Sequence, residues 1–235
     1  MTNLANLKLF TTHPHKCSYL QDEIATTVFV DPDAEINREI YSRLSEIGFR
    51  RSGQHLYRPQ CAFCSACIPV RIPVKEFTPN RQQKRCLKLN SDITFKVVNS
   101  IDAKKHYQLY EKYINERHAD GDMYPPSRAQ YSTFLTSEWG LTRFIEFYLE
   151  STLIAVAVID ELETGISAVY TFFDPELQSR SLGTFAILTQ IQLAEELGLH
   201  AVYLGYWIKN CTKMTYKSKF KPLESYIDGR WIRDY

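Results

Sequence analysis

The second half of the chain carries a regular succession of strand and helix patterns, and this succession constrains the fold more than any other feature. Apolar segments of strand length predict strands at 93–98, 142–149, 152–160, 166–173 and 200–208. Helical periodicity predicts helices at 102–117, from 127 onward and at 182–198. Three consecutive strands, a crossing helix and a further strand together predict a mixed α/β domain.

The composition shows that the chain can bury a substantial core. It has 235 residues, 44% of them hydrophobic, which suits one large domain or two small ones. A helix at 34–47 is predicted in the first half, and the alternating elements begin near residue 91. We therefore predict an N-terminal domain at 1–90 and a second domain at 91–235, whose element order resembles the acyltransferase-like GNAT fold.

Four cysteines form the most specific motif of the first half. Cys61, Cys64 and Cys67 follow a C-x-x-C-x-x-C spacing, and Cys17 supplies a distant fourth thiol. Such spacing brings thiolates together in one tight turn, which predicts a metal site holding zinc or an iron–sulfur cluster. Arg71 stands where a ferredoxin run has its next cysteine. Free thiols or a disulfide framework are the alternatives.

Targeting signals are not evident in the sequence. The N-terminal segment MTNLANLKLFTTHPHK lacks the apolar region of a signal peptide, and no apolar run reaches the ~20 residues that span a bilayer. We therefore expect a cytoplasmic protein without a membrane segment. In that reducing compartment, metal or redox chemistry is favoured over a structural disulfide.

Positive charge is concentrated in two segments, although the formal net charge is only +1. Residues 71–88 contain six basic residues and one acid, and 204–221 contain five lysines and no acid. Arg81, Lys84, Arg85 and Lys88 have the spacing of one helix face. This basic stripe predicts contact with the phosphate backbone of RNA, although a solvated helix face has the same pattern.

A short motif follows the strand predicted at 166–173. Arg180 and Gly183 match the Arg/Gln-x-x-Gly-x-Gly/Ala pattern with which GNAT enzymes hold the coenzyme A pyrophosphate at a helix N-terminus. Phe185 replaces the last small residue, and its ring is expected to crowd a pyrophosphate. The departure argues against an ordinary acyl-coenzyme A as the donor.

Several motifs together resemble the aminoacyl-tRNA protein transferases of the N-degron (N-end rule) pathway. They are CSYL, YRPQCAFCSACIPVRIP, RHADGDMYPPS, AVYTFFDP, RSLGTFAIL and LGYWIKNCTKMTYKSKFKP. The resemblance runs from about Cys17 to Trp231, nearly the whole chain. The closest resemblance is to the bacterial branch that moves leucine onto N-terminal aspartate or glutamate. It implies a cysteine-bearing N-terminal domain, a GNAT-like domain, leucyl-tRNA as donor, acidic N-termini as acceptors, and products marked for degradation.

The reaction that this resemblance implies is aminolysis of an ester. The free α-amine, with a pKa near 8, needs positioning and a proton acceptor but no metal, cofactor or nucleophilic side chain. Asp174, Tyr170 and Tyr206 are the first candidates for this role and His118 the next, each with a capping or core role as the alternative. Main-chain N–H groups at 169–173 are candidates for binding the oxyanion.

An acidic acceptor also requires a cation for its carboxylate. The candidates are Arg58, Arg71, Arg143, Lys213 and Lys217. For Lys213 and Lys217, binding to the phosphates of the tRNA acceptor stem is an alternative role.

Two other functions remain open from the sequence. One is a coenzyme A-dependent amine acetyltransferase, which would share the fold. The other is a non-catalytic zinc-containing RNA-binding module, which would share the cysteines and the basic stripe.

The cysteine motif departs from that of the eukaryotic arginyl-transferases of the family that the chain resembles. In those proteins a second cysteine follows the first by three positions, whereas Leu20 occupies that position here, so their metal-ligand set does not carry over directly.

Overall fold

The computed structural model describes residue 4 and residues 7–121 and 123–234. The helices are α1 (Arg38–Glu46), α2 (Arg81–Leu89), α3 (Lys105–Arg117), α4 (Arg128–Leu135) and α5 (Leu182–Glu196). The strands of the first half are β1 (Leu9–Thr11), β2 (His15–Lys16), β3 (Ile24–Ala25), β4 (Thr27–Val30), β5 (Arg50–Ser52), β6 (His55–Pro59) and β7 (Ile68–Pro73). The others are β8 (Ile93–Val98), β9 (Thr142–Leu149), β10 (Thr152–Glu161), β11 (Gly165–Phe173), β12 (Ala201–Trp207), β13 (Leu223–Ile227) and β14 (Arg230–Asp234).

An eight-stranded sheet forms the centre of the fold. Its order is β14-β13-β7-β12-β11-β10-β9-β8, and among the described strands only β11 and β12 pair in parallel. Helix α5 connects these two strands, as a parallel pair requires. The mixed α/β architecture confirms the predicted fold class, including the three consecutive strands β9 to β11.

Strand β7 enters this sheet from the first half of the chain. It lies between β12 and β13, antiparallel to both, with Ile72 opposite Val202. The large sheet therefore takes strands from both sides of the predicted boundary at residues 90 and 91, and that boundary stays a prediction. A smaller four-stranded sheet, β1-β4-β6-β5, is built from the first half alone.

Two apolar layers cover the large sheet. Residues of α5, including Phe185, Ile187 and Leu188, pack with the inner positions of β7, β9, β10 and β12. Residues of α3 and α4, including Tyr110 and Leu135, pack against other positions of β9, β10 and β11. The helices on both faces bury most of the apolar side chains and hold the parallel pair in the middle of the protein.

A buried ion pair joins the small sheet to the large one. Arg51 on β5 donates two hydrogen bonds to Asp160 on β10, at 2.6 and 3.0 Å, and both side chains are fully buried. Burial alone would lower the pKa of Arg51, but the charge of Asp160 and the hydrogen bond to it raise the pKa above the usual value. Asp160 also accepts hydrogen bonds from Tyr41 and Thr142.

Helix ends follow their capping residues. α1 begins at Arg38 rather than at residue 34, because the Asn37 side chain accepts a hydrogen bond from the Ile40 amide. α2 begins with a capping box between Asn80 and Gln83, and Ser127 caps α4. Within the described residues, no helix is both long and apolar enough to span a bilayer.

Candidate active site

The main cleft opens where the two parallel strands separate. β11 and β12 pair only at Gly165–Ser167 and Ala201–Tyr203, and beyond this point the strands diverge. A cleft of about 700 Å³ fills the fork and is lined by residues 168–171 of β11 and 204–206 of β12. A fork between parallel strands is a place where α/β sheets bind ligands.

A β-bulge exposes main-chain groups to this cleft. Val158 pairs with Tyr170 and Ile159 with Ala168, so Val169 is left out of the ladder between β10 and β11. On its other edge, β11 has no pairing with β12 after Ser167. The main chain at 169–173, predicted to bind an oxyanion, therefore borders the cleft at Val169, Tyr170, Thr171 and Phe173.

The cleft is strongly cationic. Among the residues that the structure describes, its lining includes five cations and no aspartate or glutamate. The cations are Arg50, Arg51, Arg117, Lys213 and Lys217. Asp160 neutralises Arg51 and Asp120 pairs with Lys213, so the positive potential offered to an anionic ligand comes mainly from Arg50, Arg117 and the protonated fraction of Lys217.

Arg50 bridges the two strands at the fork. It is 9% exposed, and its Nη1 donates hydrogen bonds to Ser167 Oγ at 3.0 Å and to the Tyr203 carbonyl at 3.4 Å. Its Nη2 donates to the Ala168 carbonyl. No carboxylate of the described residues lies within ion-pair distance of this guanidinium. The sequence prediction did not include Arg50, because these contacts join residues more than a hundred positions apart.

Lys217 is a buried amine in the same cleft. The residue is 7% exposed, and Nζ donates a hydrogen bond to the Tyr206 carbonyl. Burial, followed by the charge of Arg50, lowers the pKa of Lys217 to about 7, while Cys211 opposes the shift. A substantial fraction of this amine is therefore neutral near neutral pH, which suits it to accept a proton.

Three of the four predicted proton-transfer residues line the cleft. Tyr206 donates hydrogen bonds to the carbonyls of Gly48 and Tyr57, and burial raises its pKa. Burial likewise raises the pKa of Tyr170. His118 Nε2 lies 3.1 Å from Tyr113 Oη, and burial followed by the charge of Lys213 lowers its pKa.

The fourth predicted residue, Asp174, does not line the cleft. It lies just after β11, where its carboxylate caps a short 3₁₀ turn and pairs with Lys112 at 2.8 Å. The carboxylate thus already has two partners, as the capping alternative predicts. Its role in proton transfer stays a prediction.

The predicted acceptor-binding cations fall into two groups. Lys213 and Lys217 line the cleft, and Lys213 also pairs with Asp120 at the surface. The three arginines do not line it and have partners elsewhere. Arg58 donates to the Ile47 carbonyl, Arg71 pairs with Glu46 and Glu224, and Arg143 pairs with Glu161.

The predicted pyrophosphate motif is split by the fold. Gly183 lines the cleft, whereas Arg180 makes two hydrogen bonds to Asp92 at 2.8 and 2.9 Å. The Phe185 ring packs on Phe147 in the core and is absent from the cleft lining. The expectation that this ring crowds a pyrophosphate is therefore wrong, since α5 turns it toward the sheet.

The basic stripe lies on α2, as its spacing predicts. Arg81, Lys84, Arg85 and Lys88 are all exposed, while Gln83 and Cys86 are buried on the opposite face. The structure shows no salt bridge of these four residues to a described acid. The stripe is therefore free to meet an external anion, and its contact with tRNA stays a prediction.

The four motif cysteines line a second, smaller cavity of about 150 Å³. Burial raises the pKa of Cys67 to about 12, and the charges of Cys17, Cys61 and Cys64 act in the same direction. Among the described residues, no three histidine, cysteine or acidic side chains converge as they would around a metal ion. The thiols share one cavity without forming a ligand shell in this geometry.

The architecture is the mixed α/β one predicted for a GNAT-like acyltransferase domain, with a cleft at the fork of its parallel strands. Family models agree with this class. The model for the N terminus of arginine-tRNA-protein transferase matches residues 15–85, and the model for its C terminus matches residues 105–227. The chain belongs to the arginine-tRNA-protein transferase family, as its motifs predict.

The similarity to close relatives extends along nearly the full chain. It is 56% identical to the aspartate/glutamate leucyltransferase of Saccharophagus degradans, over 99% of each protein. It is 58% identical to that of Teredinibacter turnerae, over 99% of this chain and 96% of the relative. Among solved structures, L-PGS from Bacillus licheniformis aligns with 71% of this chain and 51% of its own, at 14% identity and a TM-score of 0.48.

Proposed function

We propose that the protein transfers leucine from leucyl-tRNA to the N-terminal aspartate or glutamate of proteins in the cytoplasm, marking them for degradation. The names and full-length similarity of its relatives support this reaction. The observation that carries the proposal is the cationic cleft, whose described lining residues include no acid. Both substrates are anionic, because the donor carries phosphates and the acceptor carries a carboxylate.

The reaction consists of attack by the acceptor α-amine on the ester carbonyl of leucyl-tRNA. Lys217, whose pKa is lowered to about 7, is suited to take the proton that the amine releases. Main-chain N–H groups of β11 at the bulge are suited to stabilise the oxyanion. The new amide forms as the terminal ribose leaves as an alcohol, with no nucleophilic side chain required.

The tRNA is proposed to extend over the basic stripe on α2. Exposed lysine and arginine side chains bind backbone phosphates and release counterions, which makes affinity depend on salt. The four cysteines are proposed to form a structural or redox-sensitive cluster that stabilises the N-terminal part of the protein. Catalysis through the cleft uses none of their thiols.

The test is a transfer assay with labelled leucyl-tRNA and peptides that differ only in their first residue. Transfer to Asp and Glu peptides but not to an Ala peptide is expected. Equal incorporation on all three, or none, would refute the proposal. Arginyl-tRNA in the same assay tests the donor, and acetyl-coenzyme A without tRNA tests the acetyltransferase alternative.

A further inference from the structure

We propose that Arg50 is the receptor for the side-chain carboxylate of the acceptor's N-terminal aspartate or glutamate. This inference rests on the function proposed above and names the group that selects its acceptor. Arg50 lies at the base of the fork, within the cleft lining and almost completely buried. A buried guanidinium without an acid partner is a costly arrangement unless an anion completes it.

The hydrogen bonds of Arg50 leave one side of its guanidinium open. Ser167, Ala168 and Tyr203 take both hydrogens of Nη1 and one of Nη2. The hydrogen on Nε and the second hydrogen on Nη2 have no acceptor among the described residues. In the planar guanidinium, Nε and Nη2 lie on the same edge, which is a bidentate donor for a carboxylate.

Gly205 keeps the approach to this edge clear. A Cβ at position 205 would come within 3.2 Å of Arg50 Nε and 3.6 Å of its Nη2. The glycine also has a φ of +81°, which favours residues without a side chain. A side chain at position 205 would therefore press against the guanidinium, and glycine avoids that contact.

Neighbouring charges do not supply the missing anion. The closest buried acid in the bonding network is Asp160, which Arg51 neutralises and to which Tyr41 donates a hydrogen bond. Tyr41 and Ser167 connect that pair to Arg50 through polar contacts of 3.3 and 3.0 Å. Arg50 is thus held rigidly in place, and its positive charge is left for a ligand.

The position of Arg50 relative to Lys217 fits the acceptor's first residue. Lys217 lines the same cleft, and the two charges are close enough to interact. In aspartate and glutamate the α-amine and the side-chain carboxylate are separated by only a few bonds. An acceptor bound through its carboxylate at Arg50 would therefore hold its amine within the cleft that Lys217 also lines.

A tRNA phosphate is the competing anion for Arg50, and the structure favours the carboxylate. The exposed cations of the cleft, Lys213 and Arg117, suit a hydrated phosphate backbone. Arg50 instead offers a single buried edge, which matches the two oxygens of one carboxylate. The experiment below separates the two ligands.

The test compares the unmodified protein with Arg50→Met, and uses Arg43→Met as a matched control. Arg43 is exposed, pairs with Glu39 and lies outside the cleft lining. The measurements are kcat/KM for peptides beginning with Asp, Glu, Asn or Gln, at saturating leucyl-tRNA, and the Kd of leucyl-tRNA. For Arg50→Met, kcat/KM for Asp and Glu peptides is expected to fall about 30-fold to 1,000-fold. The preference for Asp over Asn peptides, and for Glu over Gln peptides, is expected to fall by a similar factor, because any effect of the lost charge on Lys217 is common to all four peptides. The tRNA Kd is expected to change less than about threefold.

Three results would overturn the inference. One is unchanged discrimination between Asp and Asn peptides in Arg50→Met, and another is a loss of leucyl-tRNA affinity that accounts for the whole defect. The third is a spectroscopic result on the unmodified protein, which also decides the case if the variant does not fold. In ¹⁵N-arginine NMR, an Asp peptide is expected to shift the Arg50 Nε–H signal, identified by its loss in Arg50→Lys, and an Asn peptide is not. An unshifted signal refutes this inference alone, whereas absence of transfer by the unmodified protein refutes the proposed function.

Discussion

Replacing Arg51 with methionine removes the cation that joins the small sheet to the large one. Arg51 donates six hydrogen bonds, and both it and Asp160 are fully buried. The acceptors are Asp160, Gly53, Leu135, Thr136 and Thr142. In the variant, the Asp160 carboxylate would remain buried without a cation, and three carbonyls would lose a donor.

The expected loss follows from this burial. Removing one partner of a buried ion pair costs about 3–5 kcal/mol, because the other charge stays desolvated. Since whole domains are stable by about 5–15 kcal/mol, the change removes a large part of the total. The double variant Arg51→Met/Asp160→Leu removes the stranded charge, and we expect it to regain at least about 2 kcal/mol relative to the single variant.

Urea unfolding followed by tryptophan fluorescence measures these differences. Arg43→Met is the matched control, because its exposed pair with Glu39 contributes about 0.5 kcal/mol or less. The reasoning is refuted if Arg51→Met costs no more than this control, or if the double variant is less stable than Arg51→Met.

Further predictions concern the amine, the basic stripe and the cysteines. Lys217 has a pKa of about 7 in the folded protein and near 10.5 in the unfolded protein, so between these pH values the unfolded state binds more protons and stability rises with pH. In Lys217→Met, urea unfolding at a series of pH values should no longer show this rise, and leucyl transfer should no longer increase through about pH 7. Replacing Arg81, Lys84, Arg85 and Lys88 with alanine should weaken leucyl-tRNA binding and make its affinity less dependent on salt, by an amount equivalent to up to about four phosphate contacts. An unchanged salt dependence would show that the stripe is a solvated helix face. Cys64→Ser should lower the melting temperature before it lowers transfer by the folded protein; a fully folded but inactive variant would place the cysteine cavity in catalysis instead.

The elements predicted best were those whose local pattern matches their burial. The strand at 142–149 was placed correctly because its apolar run is long and ends in turns. By contrast, β7 was not predicted, since Pro69 and Pro73 interrupt the usual strand signal although the segment lies inside the sheet. The β13–β14 hairpin was also missed, although Asp228 and Gly229, both with positive φ, form the kind of turn that predicts it.

Site residues were likewise predicted where a local sequence pattern marks them and missed where their role depends on distant contacts. Tyr170, Tyr206 and His118 were placed near strand or helix ends by sequence, and the fold brings them into one cleft. Arg50 could not be found this way, because its significance depends on strands β11 and β12, which are distant in the chain. Burial also distinguished Lys217 from Lys213, which sequence treats alike.

The insertion of β7 between β12 and β13 determines when the protein can fold during its synthesis. β7 cannot pair with β12 until Val202, which lies opposite Ile72, has been synthesised. At about 5–20 residues per second, the ribosome needs roughly 6–26 s to make the intervening chain of about 130 residues. Until then β7, with its buried residues Val70 and Ile72, has no sheet to join. The nascent chain is therefore open to aggregation and to chaperone binding until the region of β12 and β13 emerges. The two segments that match the family models, 15–85 and 105–227, must then fold together rather than one after the other.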